Sequence, residues 1–144
     1  MRIGFTCGAF DLLHAGHVLM LQEAAEVCDH LIVGLHIDPS TERPERNAPV
    51  QSLIERFIQL DAVRYVDKVI PYSTEEEMHN LLRILRINVR IVGEEYRSVF
   101  LSGQDVCEEL GIQIYYNSRT HQLSSSELRE RVYSFAQGKA KLKL

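Results

Sequence analysis

Short apolar runs at residues 2–6, 31–36, 68–70, 89–92 and 113–116 alternate with longer stretches in which apolar residues recur at helical spacing. Each run is bounded by Gly, Pro, Asp or Asn and is expected to be a strand. Helices are predicted over 16–28, 52–64, 74–86 and 124–135, with a short one over 104–110 that Gly111 ends. In the first helix Val18, Leu21, Ala25 and Cys28 share one side. This rhythm of strand then helix predicts the α/β class: βα units in three layers (αβα) around a five-stranded, mostly parallel sheet. Segment 38–49 breaks the rhythm: its three prolines, two arginines and two glutamates have no apolar period, so it reads as a long surface loop.

At 144 residues the chain fits one domain, assigned to 1–138, with a C-terminal tail at 139–144 in which lysine alternates with small or apolar residues. Hydrophobic residues make up 45%, enough for a real core, and charged residues 25%. Sixteen Lys and Arg against twenty Asp and Glu leave a net charge of −4, so there is no global positive field to draw nucleic acid or an acidic bilayer. Any anion site must be local. No apolar stretch is long enough to span a membrane and none resembles a signal peptide, so a cytoplasmic protein with no membrane partner is expected. Cys7, Cys28 and Cys107 are odd in number and lack CxxC spacing, which argues against a disulfide framework and a thiolate metal site.

The first βα junction reads GAFDLLHAGH, from Gly8 to His17, directly after a strand and before an amphipathic helix. In an open α/β sheet this is where ligands bind, because the helix start offers unpaired N–H groups and a partial positive charge. His14 and His17 are three apart and project the same way, and Gly16 between them lacks a Cβ that would hold a phosphate off the backbone. The pattern suits a phosphate cradle. A purely structural reading has His14 capping a turn and Asp11 bonding a local N–H. Later, Ser124, Ser125 and Ser126 precede ELRERV, where one of them is a natural N-cap. Three hydroxyls exceed what a cap needs, and Arg119 and Thr120 lie just upstream, so a second phosphate site is expected there.

GAFDLLHAGH resembles the GTFDxxHxGH signature of the HxGH nucleotidyltransferases. Three further segments, RYVDKVIP at 64–71, IVGEEY at 91–96 and RTHQLSSSELR at 119–129, extend the resemblance over nearly the full length, to the glycerol-3-phosphate cytidylyltransferase branch. It implies a Rossmann-like fold and transfer of CMP from CTP to a phosphorylated alcohol with release of pyrophosphate. Mg²⁺ is expected to come with the CTP, with no direct protein ligation. The resemblance further implies catalytic roles for His14, His17, Asp11 and Arg119, with Asp11 orienting a histidine or the acceptor. Nucleotide contacts are implied for Gly8, Ala9, Phe10, Gly16, Arg64, Gly93, Glu94, Glu95, Thr120, Ser124, Ser125 and Ser126. The segment at 64–71 is implied to form a two-fold dimer contact, hence a homodimer. The sequence departs from the branch at Ala9, where threonine is usual, at Gln122, where glycine is usual, and at 94–96, where Asp-Asp-Trp is usual. Segment 37–50 holds no lysine, leaving Arg43 and Arg46 as the cations for the β- and γ-phosphates. Two other activities stay open: adenylyl transfer to pantetheine phosphate or nicotinamide mononucleotide, and nucleotide binding without turnover. A redox role for Cys7 lacks a nearby resolving cysteine.

Overall fold

The computed structural model describes residues 1–118 and 123–142. Strands β1 (Ile3–Gly8), β2 (His30–His36), β3 (Lys68–Tyr72), β4 (Val89–Gly93) and β5 (Gln113–Asn117) form one sheet in the order β3-β2-β1-β4-β5. Every pairing is parallel, where a mostly parallel sheet was expected. The strand centres match the apolar runs, and each strand extends to the residue where its loop begins. Helices α1 (Ala15–Glu26), α2 (Leu53–Asp61), α3 (Glu75–Ile84), α4 (Gln104–Leu110) and α5 (Ser125–Leu142) complete the chain. The last of these runs through residue 138, the expected end of the domain, without a break.

Two cores flank the sheet, as strand alternation requires once both faces are covered. Leu31, Val33, Leu35, Val89 and Ile91 pack on one side with Leu21 and Ala24 of α1 and Leu60 of α2. Phe5 and Ile32 pack on the other with Met78 and Leu82 of α3 and Val106 and Cys107 of α4. Local chemistry sets the helix starts. Ser52 and Glu55 form a reciprocal capping box at α2, and Thr74 caps α3 ahead of three glutamates. The left-handed φ of Gly111, 70°, ends α4.

The chain steps outward from β1 through β2 to β3, then returns to place β4 on the other side of β1. Crossovers therefore leave on opposite faces at β1 and β4, and their loops part to leave a crevice above the carboxyl ends of the strands. Segment 38–49 overhangs it as irregular chain with a single 3-10 turn at Pro39–Thr41. No helix among the described residues is long and apolar enough to cross a membrane.

Candidate active site

The crevice is a cleft of about 1000 Å³ that runs from the β1–α1 junction to the ends of β3 and β4. Its first wall is the 8–17 segment, which is held in an unusual shape. Phe10 and Leu12 have φ of 47° and 52°, a region side chains enter at a cost of about 1–3 kcal/mol each. Asp11 between them secures the loop. Its buried carboxylate accepts hydrogen bonds from Val50 N (2.8 Å), Gln51 N (2.9 Å) and Arg129 Nη2 (2.7 Å), while Leu12 N donates to Gln51 Oε1 (2.7 Å). Burial opposes its charge, but those donors outweigh it and hold the carboxyl below its ordinary range. Asp11 thus ties the motif to the start of α2 and to α5. Three donors from other elements surround its oxygens, and its negative charge also acts on His17, where it favours the imidazolium.

The capping reading of His14 matches the structure, whereas the N–H groups that Asp11 bonds come from distant Val50 and Gln51 rather than from its own turn. His14 is the N-cap of α1: its Nδ1 accepts from Gly16 N at 3.0 Å, and its own N–H donates to His17 Nδ1 at 3.2 Å. Two histidines thus form a reciprocal cap, with their rings 4.0 Å apart and tilted by 31°. With each Nδ1 accepting a backbone N–H, each neutral ring carries its proton on Nε2. His14 Nε2 lies 3.2 Å from Ser125 Oγ, and both rings line the cleft. Burial, then the neighbouring His14, push His17 down to about 4, so it is neutral at pH 7. Gly16 also leaves room for the His14 ring and Leu123. A Cβ there would meet His14 Cε1 at 2.8 Å and Leu123 Cβ at 3.1 Å.

Several of the remaining expected residues gather here. Gly8, Ala9, Phe10 and Gly16 line the cleft beside the histidines, and Arg43 and Arg46 reach it from the overhanging loop. Arg43 is paired with Glu75 at 3.2 Å, and Arg46 is exposed. Ser124 caps α5 through Glu127 N at 3.1 Å and lines the cleft together with Ser125. Gly93 and Glu95 close the far end, where the Glu95 carboxylate folds over the glycine into the space a Cβ would fill.

Three residues do not join them. Glu94 lies outside the lining, its carboxylate bound to Arg97 Nε (2.7 Å) and Nη2 (3.1 Å) on the exposed side of a 3-10 turn. Ser126 is exposed one step along α5, turned out of the lining by the helix rotation that keeps Ser125 in it. Arg64 precedes β3 and so lies at the amino-terminal edge of a parallel sheet, while the cleft opens at the other edge. Its guanidinium bonds Tyr65 Oη (2.7 Å) and stacks over that ring at 4.9 Å. Arg119, Thr120 and Gln122 fall outside the described residues.

Sequence reading missed the supports beneath this wall. Arg56, 2% exposed, donates to the carbonyls of Gln51 (3.2 Å), Ala9 (3.0 Å), His36 (2.7 Å) and Ile37 (2.6 Å), which join the motif loop to the end of β2. In the sequence it is a lone arginine in the helix LIERFIQLD, and its charge reads as a solvated position rather than a buried one. His36 is buried and stacked on Tyr72 at 4.6 Å. Both residues end strands on the cleft side, a position that was itself the available clue. Across the cleft, Glu23 of α1 accepts from Ser118 N (2.9 Å) and Oγ (2.8 Å), fastening α1 to the end of β5.

A family model described as cytidylyltransferase-like matches residues 5–131. The glycerol-3-phosphate cytidylyltransferase of Bacillus subtilis is 30% identical over 132 residues, covering 92% of this chain and 98% of its own length. A probable ethanolamine-phosphate cytidylyltransferase of Encephalitozoon cuniculi is 36% identical over 92% of this chain and 40% of its own length. The bifunctional protein HldE of Gluconacetobacter diazotrophicus is 40% identical over 77% of this chain but only 23% of its own length. The chain thus spans less than half of those two larger relatives. Among solved structures, a lipopolysaccharide core biosynthesis protein of Thermoplasma volcanium aligns with a TM-score of 0.68 at 21% identity, over 84% of this chain and 99% of its own. Pantothenate synthetase of Thermus thermophilus aligns at 0.63 and 14% identity, over 89% of this chain and 61% of its own. These two likenesses establish the fold.

Proposed function

The chain belongs to the cytidylyltransferase-like family, and from that premise we propose that it transfers CMP from CTP to a phosphorylated alcohol and releases pyrophosphate. One observation carries the reading. The two imidazoles at the β1–α1 junction are 4.0 Å apart with both Nδ1 atoms engaged, so two Nε2–H donors stand together in a cleft wall at a helix start.

In this mechanism a phosphate oxygen of the acceptor attacks the α-phosphorus in line. A new oxygen–phosphorus bond forms as the bond to the bridging α–β oxygen breaks, and its electron pair leaves with pyrophosphate. No covalent enzyme intermediate is needed. The protein's part is to position the reactants and to meet growing negative charge with fixed donors. His14 and His17 donate to the α- and β-phosphates. His17 gains charge as the anion arrives, since phosphate favours the imidazolium that burial disfavours. Arg43 and Arg46 take the β- and γ-phosphates in place of a lysine, and Ser124 and Ser125 add donors from α5. At the far end Gly93 leaves room for the Glu95 carboxylate to fold over it, and Glu95 accepts from the exocyclic amine of the base. Among the described residues no three His, Cys, Asp or Glu side chains form a metal-holding group. Mg²⁺ would come with the CTP, held by the triphosphate's oxygens, and would neutralise charge on the leaving group.

A cytoplasmic homodimer is part of the reading. Its support is the exposed apolar pair Ile54 and Ile58 on α2, 69% and 62% exposed, next to the 64–71 segment. The test of function is pyrophosphate release from CTP or ATP with a panel of phospho-alcohols. CTP turnover at least about ten-fold above ATP is expected, and a preference for ATP overturns the base assignment.

A further inference from the structure

The cleft has a second floor, on the α3 and α4 side of the sheet, that the reaction above does not use. Arg90 lies there, in the middle of β4 opposite Phe5 and Ile114, and is only 3% exposed. An arginine is out of place in a strand covered on both faces, where near-continuous apolar residues are the rule. Its Nη1 donates to the Ser102 carbonyl at 2.5 Å, while its buried Nε has no hydrogen-bond partner. No ion pair among the described residues includes it. Glu75, the cleft carboxylate on α3, is already engaged by Arg43. The ionisable neighbours Tyr72 and Cys107 are pushed up by burial and remain neutral, so neither balances its charge. Bracing the Ser102 loop needs only one neutral donor. A buried guanidinium with an open Nε and no counter-charge is a costly way to supply it.

Arg90 nevertheless lines the same cleft as the histidines, together with Thr6, Cys7, Tyr72 and Ser102. In the reading above the nucleotide takes the β1–α1 and β4–β5 sides and the arginines of the overhanging loop, so the deeper lobe around Arg90 is left for the part of the acceptor beyond its phosphate. We propose that Arg90 is a specificity-determining residue that receives an anionic group on the acceptor's tail, which makes the natural acceptor a phosphorylated hydroxy acid. The inference rests on the reading of the protein as a cytidylyltransferase. A neutral polyol tail leaves the buried charge unanswered, and an ammonium tail is repelled by it.

Three acceptors of similar size separate the possibilities: 3-phosphoglycerate, glycerol 3-phosphate and phosphoethanolamine carry anionic, neutral and cationic tails on the same phosphate. With the full chain, CTP and Mg²⁺, kcat/KM for 3-phosphoglycerate is expected to exceed that for glycerol 3-phosphate by about ten-fold or more, with phosphoethanolamine last. Arg90→Met should abolish that order by raising KM for 3-phosphoglycerate about ten-fold or more, and Arg90→Lys should restore part of it. A wild-type order led by the neutral or cationic acceptor overturns the proposal and leaves cytidylyl transfer standing. Equal losses for all three acceptors in Arg90→Met also overturn it, because they place the acceptor phosphate itself on Arg90. Should Arg90→Met fail to fold, the wild-type order decides alone. Failure to bind CTP at all removes the underlying reading and this one with it.

Discussion

The two walls of the cleft on which the proposed reaction places the phosphates are built on opposite principles. In the 8–17 segment the Asp11 carboxylate, the Leu12 amide and both histidine Nδ1 atoms are hydrogen-bonded within the protein. Two side chains there are also held at positive φ. The overhanging 38–49 segment has one surface ion pair, Arg43 to Glu75, and an exposed Arg46. One wall has its geometry before the ligand arrives, while the other supplies charge on long flexible stems. Transition-state stabilisation depends on donors that need no reorganisation, so the first wall should govern turnover and the second affinity.

The largest expected break in that contrast comes from the histidines. His14→Ala or His17→Ala should lower kcat by roughly 10²–10³, with a smaller change in KM for CTP, measured by pyrophosphate release. Removing the support below the wall comes next. Arg56→Met strips the partner from four carbonyls and should destabilise by about 3 kcal/mol, read as a fall in Tm of roughly 10 °C. If Tm is unchanged, Arg56 does not hold the loop.

Acidity probes the same wall. His17 is held down to about 4 in the folded chain, below its ordinary 6.5, so between those values the unfolded chain takes up a proton that the folded one refuses. Stability should therefore fall as pH drops through this window, by up to about 2 kcal/mol near pH 5. Asp11 acts in the same direction at lower pH: its carboxyl is held down by folding, and that contribution disappears as pH falls through its lowered value. Thermal melts from pH 7 to pH 5 should show the loss, and saturating CTP should shrink it, because phosphate favours protonated His17. A flat profile would contradict the burial of that ring. The smallest effect belongs to the flexible wall. Arg43→Ala and Arg46→Ala should each raise KM for CTP only several-fold, by about 1 kcal/mol, more at low salt than at high, with kcat nearly kept.

That same division decided what could be read from the sequence. Strand centres were legible because parallel strands buried on both faces are written as apolar runs, and His14, Gly16 and His17 because their spacing at a helix start has a direct chemical meaning. Arg56 and Asp11 were harder. Asp11 looks like a site residue in the motif, but the donors that claim it, Val50, Gln51 and Arg129, come from 39 to 118 positions away. Glu94 and Glu95 show the limit within one dipeptide. They are equivalent as letters, and only the 3-10 turn over Glu94–Arg97 sends one to Arg97 and the other into the cleft. Arg64 was carried by resemblance alone, and strand polarity puts it at the wrong edge of its own sheet. Arg90 gave a clue that went unread, a lone cation inside an apolar strand.

The most direct test of the phosphate cradle is imidazole nitrogen NMR during a titration with CTP and Mg²⁺. The chain has six histidines, which serve as internal controls. The account predicts that the Nε2 signals of His14 and His17 shift together as CTP saturates, while His30, at the amino end of β2, stays in place. Saturable CTP binding that leaves both cradle signals unmoved would contradict it.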